Sequence, residues 1–218
     1  MPEILSEVEA RVLGSLVEKQ LTTPEYYPLT LNALVNACNQ KNNREPVVAY
    51  DEATVTKCLE LLRDRNLVYV FYGSTSRVPK YKHMLPSVFE LEPSETAVMD
   101  VMLLRGPQTL GELRTRTERL YSFSGLGEIQ ETLDGLIRRD DPLVIKLPVL
   151  PGQKEARFAH LLSGPIDVEA FAAAQTTRAT RGGVDAERVE KLEEEVATLK
   201  TEVESLKQTF EEFRKQFE

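Results

Sequence analysis

The most informative segment of the chain is residues 51–83, DEATVTKCLELLRDRNLVYVFYGSTSRVPKYKH. Its apolar residues first recur at helical spacing, which predicts an amphipathic helix over residues 51–65. From Leu67 the side chains become β-branched and aromatic, which predicts a strand over residues 67–72. A Gly-Ser-Thr-Ser turn then leads into a second strand that ends at His83. The segment therefore predicts a helix followed by a two-stranded hairpin.

Two further helices are expected before this segment. Apolar residues at helical spacing predict the first across residues 9–17 and the second from Thr30 onward. Ser6, followed by Glu9, fits a capping box at the start of the first helix, and Thr30 is suited to cap the second. Residues 1–85 therefore predict three helices and a hairpin, in that order.

The same order of patterns recurs in the next part of the chain. Helices are expected around residues 95–103, 109–113 and 126–139, and strands at residues 143–147 and 156–160. Ser94 and Thr109 are expected to cap the first two of these helices. The closest match between the copies joins residues 80–85, KYKHML, to residues 157–162, RFAHLL. Both histidines of the chain, His83 and His160, fall at this repeated position.

This order predicts a mainly α fold with small β-hairpin wings (α+β). Three helices followed by a hairpin are typical of a winged helix-turn-helix domain, so residues 1–85 and 86–163 predict two such domains in tandem. A doubly wound enzyme would instead alternate strands and helices. Residues 164–184 end in small and polar residues that predict a linker.

Residues 185–218 predict a coiled coil. Apolar residues follow one another at alternating spacings of three and four at Val189, Leu192, Val196, Leu199, Val203, Leu206, Phe210, Phe213 and Phe217. Valine at the first a positions and leucine at the first d positions favour a parallel homodimer, and charges such as Glu195 and Lys200 would pair across it. The alternative is a solvated helix packed on its own domain, and the three phenylalanines fit a dimer core poorly.

Composition excludes several classes of protein. The 218 residues carry a net charge of −8, which argues against a generally basic nucleic-acid coat protein. The N-terminus is acidic where a signal peptide would be basic, and no apolar run reaches the ~18–20 residues of a membrane span. These features predict a cytoplasmic protein that does not associate with a membrane.

The reactive side chains argue against an enzyme. The only two cysteines, Cys38 and Cys58, are expected to be buried and inert, and His83 and His160 are expected to pack at strand ends. The sequence shows no Gly-rich phosphate loop, Ser-His-Asp arrangement or paired-carboxylate motif. We therefore expect no catalytic residues, no metal site and no cofactor.

Several motifs resemble those of the bacterial YceH family, a family of uncharacterised function. The matching segments are residues 18–25 (EKQLTTPE), 27–29 (YPL), 37–47 (ACNQKNNREPV), 103–109 (LLRGPQT), 111–114 (GELR) and 121–123 (YSF). The resemblance covers about residues 4–163, and the tail is similar to the coiled-coil end that many members carry. It implies tandem winged-helix domains but supplies no catalytic or binding residues.

The first domain is the better candidate for DNA binding. In helix-turn-helix folds the recognition helix enters the major groove, and a wing would contact the backbone or the minor groove. Side chains of the types that contact bases and phosphates occur on the third helix, the wing and the preceding loop, at Asn39, Gln40, Lys41, Asn43, Arg44, Thr54, Lys57, Arg77, Lys80 and Lys82. Residues 1–85 hold ten Lys and Arg against ten Asp and Glu, which predicts weak, salt-sensitive binding unless base contacts compensate. The asparagine-rich loop has a second interpretation, because asparagine also shapes long connections.

The second domain suggests a different partner. Its third helix carries acidic side chains, among them Glu128, Glu131 and Asp134, which would repel a phosphate backbone. This domain is therefore expected to pack on its partner or on another protein. The sequence predicts a dimeric winged-helix DNA-binding protein that regulates transcription, and the alternative is a protein–protein scaffold that does not bind DNA.

Overall fold

A computed structural model describes residues 4–72, 78–149, 153–168 and 171. The chain divides into two compact units, Met1–Ile166 and Asp167–Glu218, and all helices and strands named below belong to the first. The expected coiled coil at residues 185–218, most of the expected linker, and Arg77 lie outside the described residues.

The first repeat contains three helices and three short strands. They are α1 (Glu7–Thr22), β1 (Leu29–Thr30), α2 (Leu31–Cys38), α3 (Glu52–Asp64), β2 (Val68–Phe71) and β3 (Lys80–His83). A 3-10 turn at Pro24–Tyr26 and a cis peptide bond before Pro28 lead from α1 into β1. The three helices and the hairpin that the sequence predicts are all present.

The second repeat has the same elements in the same order. A short helix, α4 (Leu85–Phe89), precedes it, and its members are α5 (Pro93–Arg105), β4 (Gln108–Thr109), α6 (Leu110–Thr117), α7 (Leu126–Ile137), β5 (Val144–Lys146) and β6 (Arg157–His160). The fold is thus mixed α and β with small antiparallel sheets, which confirms the predicted α+β class.

Each repeat builds one three-stranded antiparallel sheet. The strand order is β1-β3-β2 in the first repeat and β4-β6-β5 in the second. Val68 pairs with His83, and Val144 pairs with His160, so the two hairpins have the same register. The sequence did not predict β1 or β4, because two residues are too few to show a strand periodicity.

The predicted helix caps are confirmed with one exception. The Ser6 side chain accepts a hydrogen bond from the Glu9 backbone, and Thr30 and Thr109 cap α2 and α6 in the same way. The expected cap at Ser94 is wrong, because α5 begins earlier, with Glu92 as its N-cap. Proline at the first position of a helix needs no hydrogen-bond partner for its nitrogen, so the start at Pro93 is favourable.

Helices α1 and α5 join the two repeats into one continuous core. Both are buried along most of their length, and α1 packs tightly against α5 at Gly14. A methyl group on Gly14 would lie 2.9 Å from Cδ2 of Leu104 and 3.1 Å from Cβ of Leu103. Main-chain hydrogen bonds also connect the repeats, from Glu45 to Leu104 and from Leu5 to Leu162.

The cysteines and histidines are packed within this body. Cys38 and Cys58 are buried and unbridged, as the sequence predicts. Burial lowers the pKa of His83 to about 4 and, equally, the pKa of His160 to about 4, so both imidazoles are neutral at pH 7. The described residues contain no group of three or more His, Cys, Asp or Glu side chains placed to hold a metal ion. Among the helices described, none is long and apolar enough to cross a membrane.

Candidate nucleic-acid interface

Helix α3 presents two of the predicted contact residues to solvent. Asp51 caps the helix by accepting a hydrogen bond from the backbone nitrogen of Thr54 at 2.8 Å. Thr54 and Lys57 are exposed on the helix, as the sequence predicts. Glu52 and Glu60 are exposed as well, so the helix has a mixed charge.

The hairpin of the first repeat adds a basic and aromatic surface. Tyr69 pairs with Lys82 across the two strands, and Phe71 pairs with Lys80, so these four side chains share one face of the sheet. The exposed fraction is 59% for Tyr69 and 46% for Phe71. We call these four residues the outer hairpin face. Its lysines were predicted from the sequence and its aromatic residues were not, although the alternation in Val-Tyr-Val-Phe places both rings on one face.

The matching face of the second repeat is less exposed. Ile145, Leu147, Arg157 and Ala159 take the positions of Tyr69, Phe71, Lys80 and Lys82, since the two hairpins share one register. Leu147 is 1% exposed, Ala159 is 2% exposed, and Arg157 is half-buried and paired with Glu112 at 2.8 Å. Among the described residues, the hairpin of the first repeat therefore presents the more exposed basic and aromatic face.

Arg44 and Asn39 have structural roles in the loop between α2 and α3. The Arg44 guanidinium is buried, donates to Glu18 at 2.6 Å and also donates to the carbonyl oxygen of Ala37. The Asn39 side chain bonds to both backbone groups of Tyr50, at 2.8 Å each. These contacts support the interpretation in which the loop residues shape a connection, and Arg44 does not reach the surface.

The rest of the loop is mostly exposed, and one of its residues contacts the second repeat. Gln40 and Lys41 are exposed, while Asn43 is half-buried and its side-chain oxygen accepts a hydrogen bond from Arg105. Gln40 accepts a hydrogen bond from Lys19 of the first repeat at 3.1 Å. Asn43 thus lies beside an arginine of the second repeat, which the sequence did not reveal.

Three arginines of the second repeat line a small cleft between the repeats. Arg105 comes from the end of α5, Arg116 from α6, and Arg119 from the turn after α6. Asn43, Asp100 and Glu18 complete its polar lining. We call these six residues the arginine cleft.

Little negative charge balances the arginine cleft. Arg105 bonds to the neutral amide of Asn43, and Arg116 bonds to the neutral amide of Gln108. Glu112 lies 3.4 Å from Arg116 and is shared with Arg157 at 2.8 Å. The Glu18 carboxylate also lines the cleft, but it is paired with Arg44 at 2.6 Å. Burial, followed by the positive charges of neighbouring arginines, lowers the pKa of the Arg105 guanidinium.

Asp100 lies at the buried end of the cleft. Its side chain is fully buried, and its Oδ1 atom has no hydrogen-bond partner among the described residues. Burial, assisted by the nearby charge of Glu18, raises the pKa of Asp100 well above its usual value. A carboxyl group with a raised pKa holds its proton more readily and is then a hydrogen-bond donor.

Comparison with known families gives a match over more than half of the chain. The family model described as a protein of unknown function, DUF480, matches residues 5–153. The chain belongs to this family. The prediction of a bacterial family of uncharacterised function is therefore confirmed.

Relatives with similar sequences match most of the chain. A UPF0502 protein of Citrifermentans bemidjiense is 51% identical over 197 residues, which cover 90% of each chain. A UPF0502 protein of Geobacter sulfurreducens is 50% identical over 200 residues, which cover 91% of each chain. A third, from Opitutus terrae, is 58% identical over 166 residues, covering 76% of this chain and 72% of the relative.

Proposed function

We propose that the chain is a DNA-binding protein with two winged-helix repeats, and that it regulates transcription as a dimer. The carrying observation is the outer hairpin face, which combines Lys80 and Lys82 with two exposed aromatic rings beside the helix in the reading position. The order helix, strand, helix, helix, hairpin supports the winged-helix assignment. No catalytic step is part of this proposal.

The chemistry of this surface suits duplex DNA. Lysines bind phosphates as point charges. Thr54 and Lys57 are exposed on α3, and their side chains are of the types that contact base edges or phosphates in a major groove. Apolar and aromatic wing residues are suited to pack against sugars in a groove. The exposed Glu52 and Glu60 weaken the attraction, so affinity would depend steeply on salt.

Dimerisation strengthens the proposal. The heptad pattern from Val189 to Phe217 favours a parallel homodimer, and two-fold symmetric proteins match palindromic half-sites. A dimer would also place two outer hairpin faces on one DNA molecule, which raises the overall affinity through effective concentration.

A protein–protein scaffold is the second candidate. The observation that favours it is the acidity of α7, where Glu131 is exposed and Glu128 accepts a hydrogen bond from the Ser124 backbone at 2.7 Å. This surface would dock a basic protein rather than a nucleic acid. In the DNA-binding proposal, the second repeat contributes this surface to a protein partner.

The first test is a binding selection of the purified full-length protein on random duplex DNA at modest salt. An enriched palindrome would support a site-specific regulator, and its half-site spacing would report the dimer geometry. Retention without enrichment, abolished by added salt, would contradict the regulator and favour the scaffold.

A first prediction concerns the lysines of this surface. The double variant Lys57→Ala/Lys82→Ala should weaken binding to all duplex sequences and reduce the slope of log affinity against log salt by about one to two, because each lysine neutralises one phosphate. Titration of a labelled duplex at several salt concentrations measures both effects. The pair Arg77→Ala/Lys80→Ala should act in the same direction.

The matched control removes the same charge elsewhere. Lys146 and Lys154 are exposed in the second repeat, so the double variant Lys146→Ala/Lys154→Ala should retain the affinity and the salt slope. Equal losses in the two double variants would mean that binding follows net charge alone, and the assignment of the outer hairpin face would then be wrong.

A further inference from the structure

The arginine cleft has an excess of positive charge that its carboxylates balance only in part. None of the described residues bonds to the Arg119 guanidinium, and the hydrogen bond of Arg105 goes to a neutral amide. Glu112 and Glu18 are shared with Arg157 and Arg44, which lie outside the cleft. The three guanidinium groups therefore repel one another, and an anion between them would reduce that repulsion.

The cleft also has a suitable shape for a small anion. The cleft is partly open to solvent, and its cavity volume of about 20 Å³ is room for one water-sized group such as a single phosphoryl oxygen. The unpartnered Oδ1 atom of Asp100 marks the buried end, and Arg119 is exposed at the mouth. A ligand could therefore place one oxygen inside and keep its remaining oxygens beside the guanidiniums.

We propose that the arginine cleft binds a phosphate group, with Arg105, Arg116 and Arg119 as its cationic ligands and Asp100 as a donor at the buried end. Arginine matches phosphate because its planar guanidinium donates two parallel hydrogen bonds to two oxygens. A phosphate monoester is a better match than a carboxylate, because it offers three terminal oxygens to three arginines. The phosphate belongs either to a free small molecule or to a nucleic-acid backbone.

The site would link ligand binding to the junction of the two repeats. Asn43 lies in the loop of the first repeat, whereas the three arginines belong to the second. Phosphate bound here would therefore contact both repeats. This inference does not rest on the proposed DNA binding, since a free phosphate ligand would occupy the cleft in either case.

The test measures thermal unfolding of the full-length protein in inorganic phosphate, with chloride at matched ionic strength as the reference. Bound phosphate should raise the apparent Tm with a saturating dependence on concentration, because a ligand that binds only the native state stabilises it. Arg119→Gln should weaken this phosphate dependence about tenfold or more, the loss expected for one charged hydrogen-bond partner.

Arg114→Gln is the matched control. Arg114 is also exposed on α6, but it lines a different depression, with Thr115, Glu118, Ser122 and Phe123. Its substitution should leave the phosphate dependence unchanged. Equal loss of the phosphate dependence in Arg119→Gln and Arg114→Gln would overturn the proposal. It would also be overturned if chloride and phosphate stabilised the protein equally and Arg119→Gln bound duplex DNA as tightly as wild type.

A second arm distinguishes the two sources of phosphate. If a nucleoside monophosphate raises the Tm through Arg119 while short duplex DNA binds equally well to Arg119→Gln and to wild type, the ligand is a small molecule. If only duplex DNA depends on Arg119, the ligand is a backbone phosphate. Loss of duplex binding in Lys57→Ala/Lys82→Ala with an intact phosphate response would separate this site from the outer hairpin face.

Discussion

Arg44 and Glu18 form the most enclosed ion pair among the described residues. Their side chains are 0% and 6% exposed, and they meet at 2.6 Å. Burial alone would raise the pKa of Glu18, but the hydrogen bond and charge of Arg44, with a smaller effect of Lys19, hold it below its usual value. The pair fixes the loop between α2 and α3 to α1.

Removal of Arg44 should therefore destabilise the protein strongly. We expect Arg44→Ala to lower the free energy of unfolding by about 3–5 kcal/mol, because it leaves a buried carboxylate without its partner. Urea denaturation measures the change. Lys41→Ala, on the exposed part of the same loop, is the control and should change it by less than about 0.5 kcal/mol. Similar values for the two variants would contradict the structural role of Arg44.

Asp100 should make stability depend on pH. The pKa of Asp100 is raised in the folded state, so the unfolded chain releases this proton at a lower pH than the native state does. As the pH rises above about 4, the unfolded state is therefore stabilised relative to the native state. Wild-type stability should thus fall between about pH 4 and the raised pKa, relative to Asp100→Asn, which has no proton to lose. The Glu18 carboxylate opposes ionisation of Asp100, while Arg44 and Lys19 favour it.

Urea unfolding of both proteins across this pH range measures the difference. The free energy of unfolding of Asp100→Asn minus that of wild type should increase with pH. The size of this difference at acid pH does not affect the prediction. A difference that stays constant would show that Asp100 has the same pKa in both states.

At the scale of the elements, the tight contact between α1 and α5 depends on Gly14. Replacing glycine by alanine inside a helix normally stabilises it by about 1 kcal/mol. At Gly14 the added methyl group would meet Leu104 and Leu103 of α5 at 2.9 and 3.1 Å, so overpacking should dominate.

We expect Gly14→Ala to lower the free energy of unfolding by about 1–3 kcal/mol. Gly135, inside α7, is the matched control, because the nearest atom to its added methyl group is 3.8 Å away. Gly135→Ala should raise the free energy of unfolding by about 0.5–1 kcal/mol. Urea denaturation of both variants provides the comparison, and stabilisation by both would mean that α1 and α5 are not in close contact at Gly14.

The elements were largely predictable from the sequence, but their contacts were not. Helical and strand periods identify α3 and the hairpin, because each element buries one face. The local pattern does not predict the burial of Arg11 of α1, whose guanidinium bonds to the carbonyl oxygens of Cys38 and Pro46. A segment that is distant in the sequence can cover a second face of a helix. The local pattern of apolar residues does not predict that burial.

The candidate site shows the same limit. Lys57 and Lys82 were predictable as surface residues, because each lies opposite the apolar face of its own element. The arginine cleft was not predictable, since it depends on bringing Asn43 to Arg105 across sixty-two positions of sequence. Arg44 resembles the neighbouring polar residues in the sequence, and only its pairing with Glu18 assigns it to the interior.

At the scale of the molecule, residues 4–166 form one compact unit with a continuous core. Helix α1 of the first repeat and α5 of the second repeat each bury apolar side chains that a lone repeat would expose. We therefore expect both repeats to unfold in one cooperative transition, because neither retains its core without the other.

Hydrogen exchange of the full-length protein in increasing urea tests this prediction. Amides of α2 and α6, one from each repeat, should lose protection with the same midpoint. Two separated midpoints would show that the repeats are independent folding units. The Gly14→Ala variant should shift both midpoints together, since the contact it disturbs joins the two helices.

The contrast between the two hairpins also has an evolutionary consequence. If the repeats arose by internal duplication, each copy began with the same outer sheet face, and only one copy still displays it. Lysine and tyrosine at positions 82 and 69 stand where the other copy has alanine and isoleucine at 159 and 145. On that history, the second copy exchanged an aromatic and lysine-bearing face for a largely aliphatic one, so the two copies diverged in surface chemistry while keeping the same strand register.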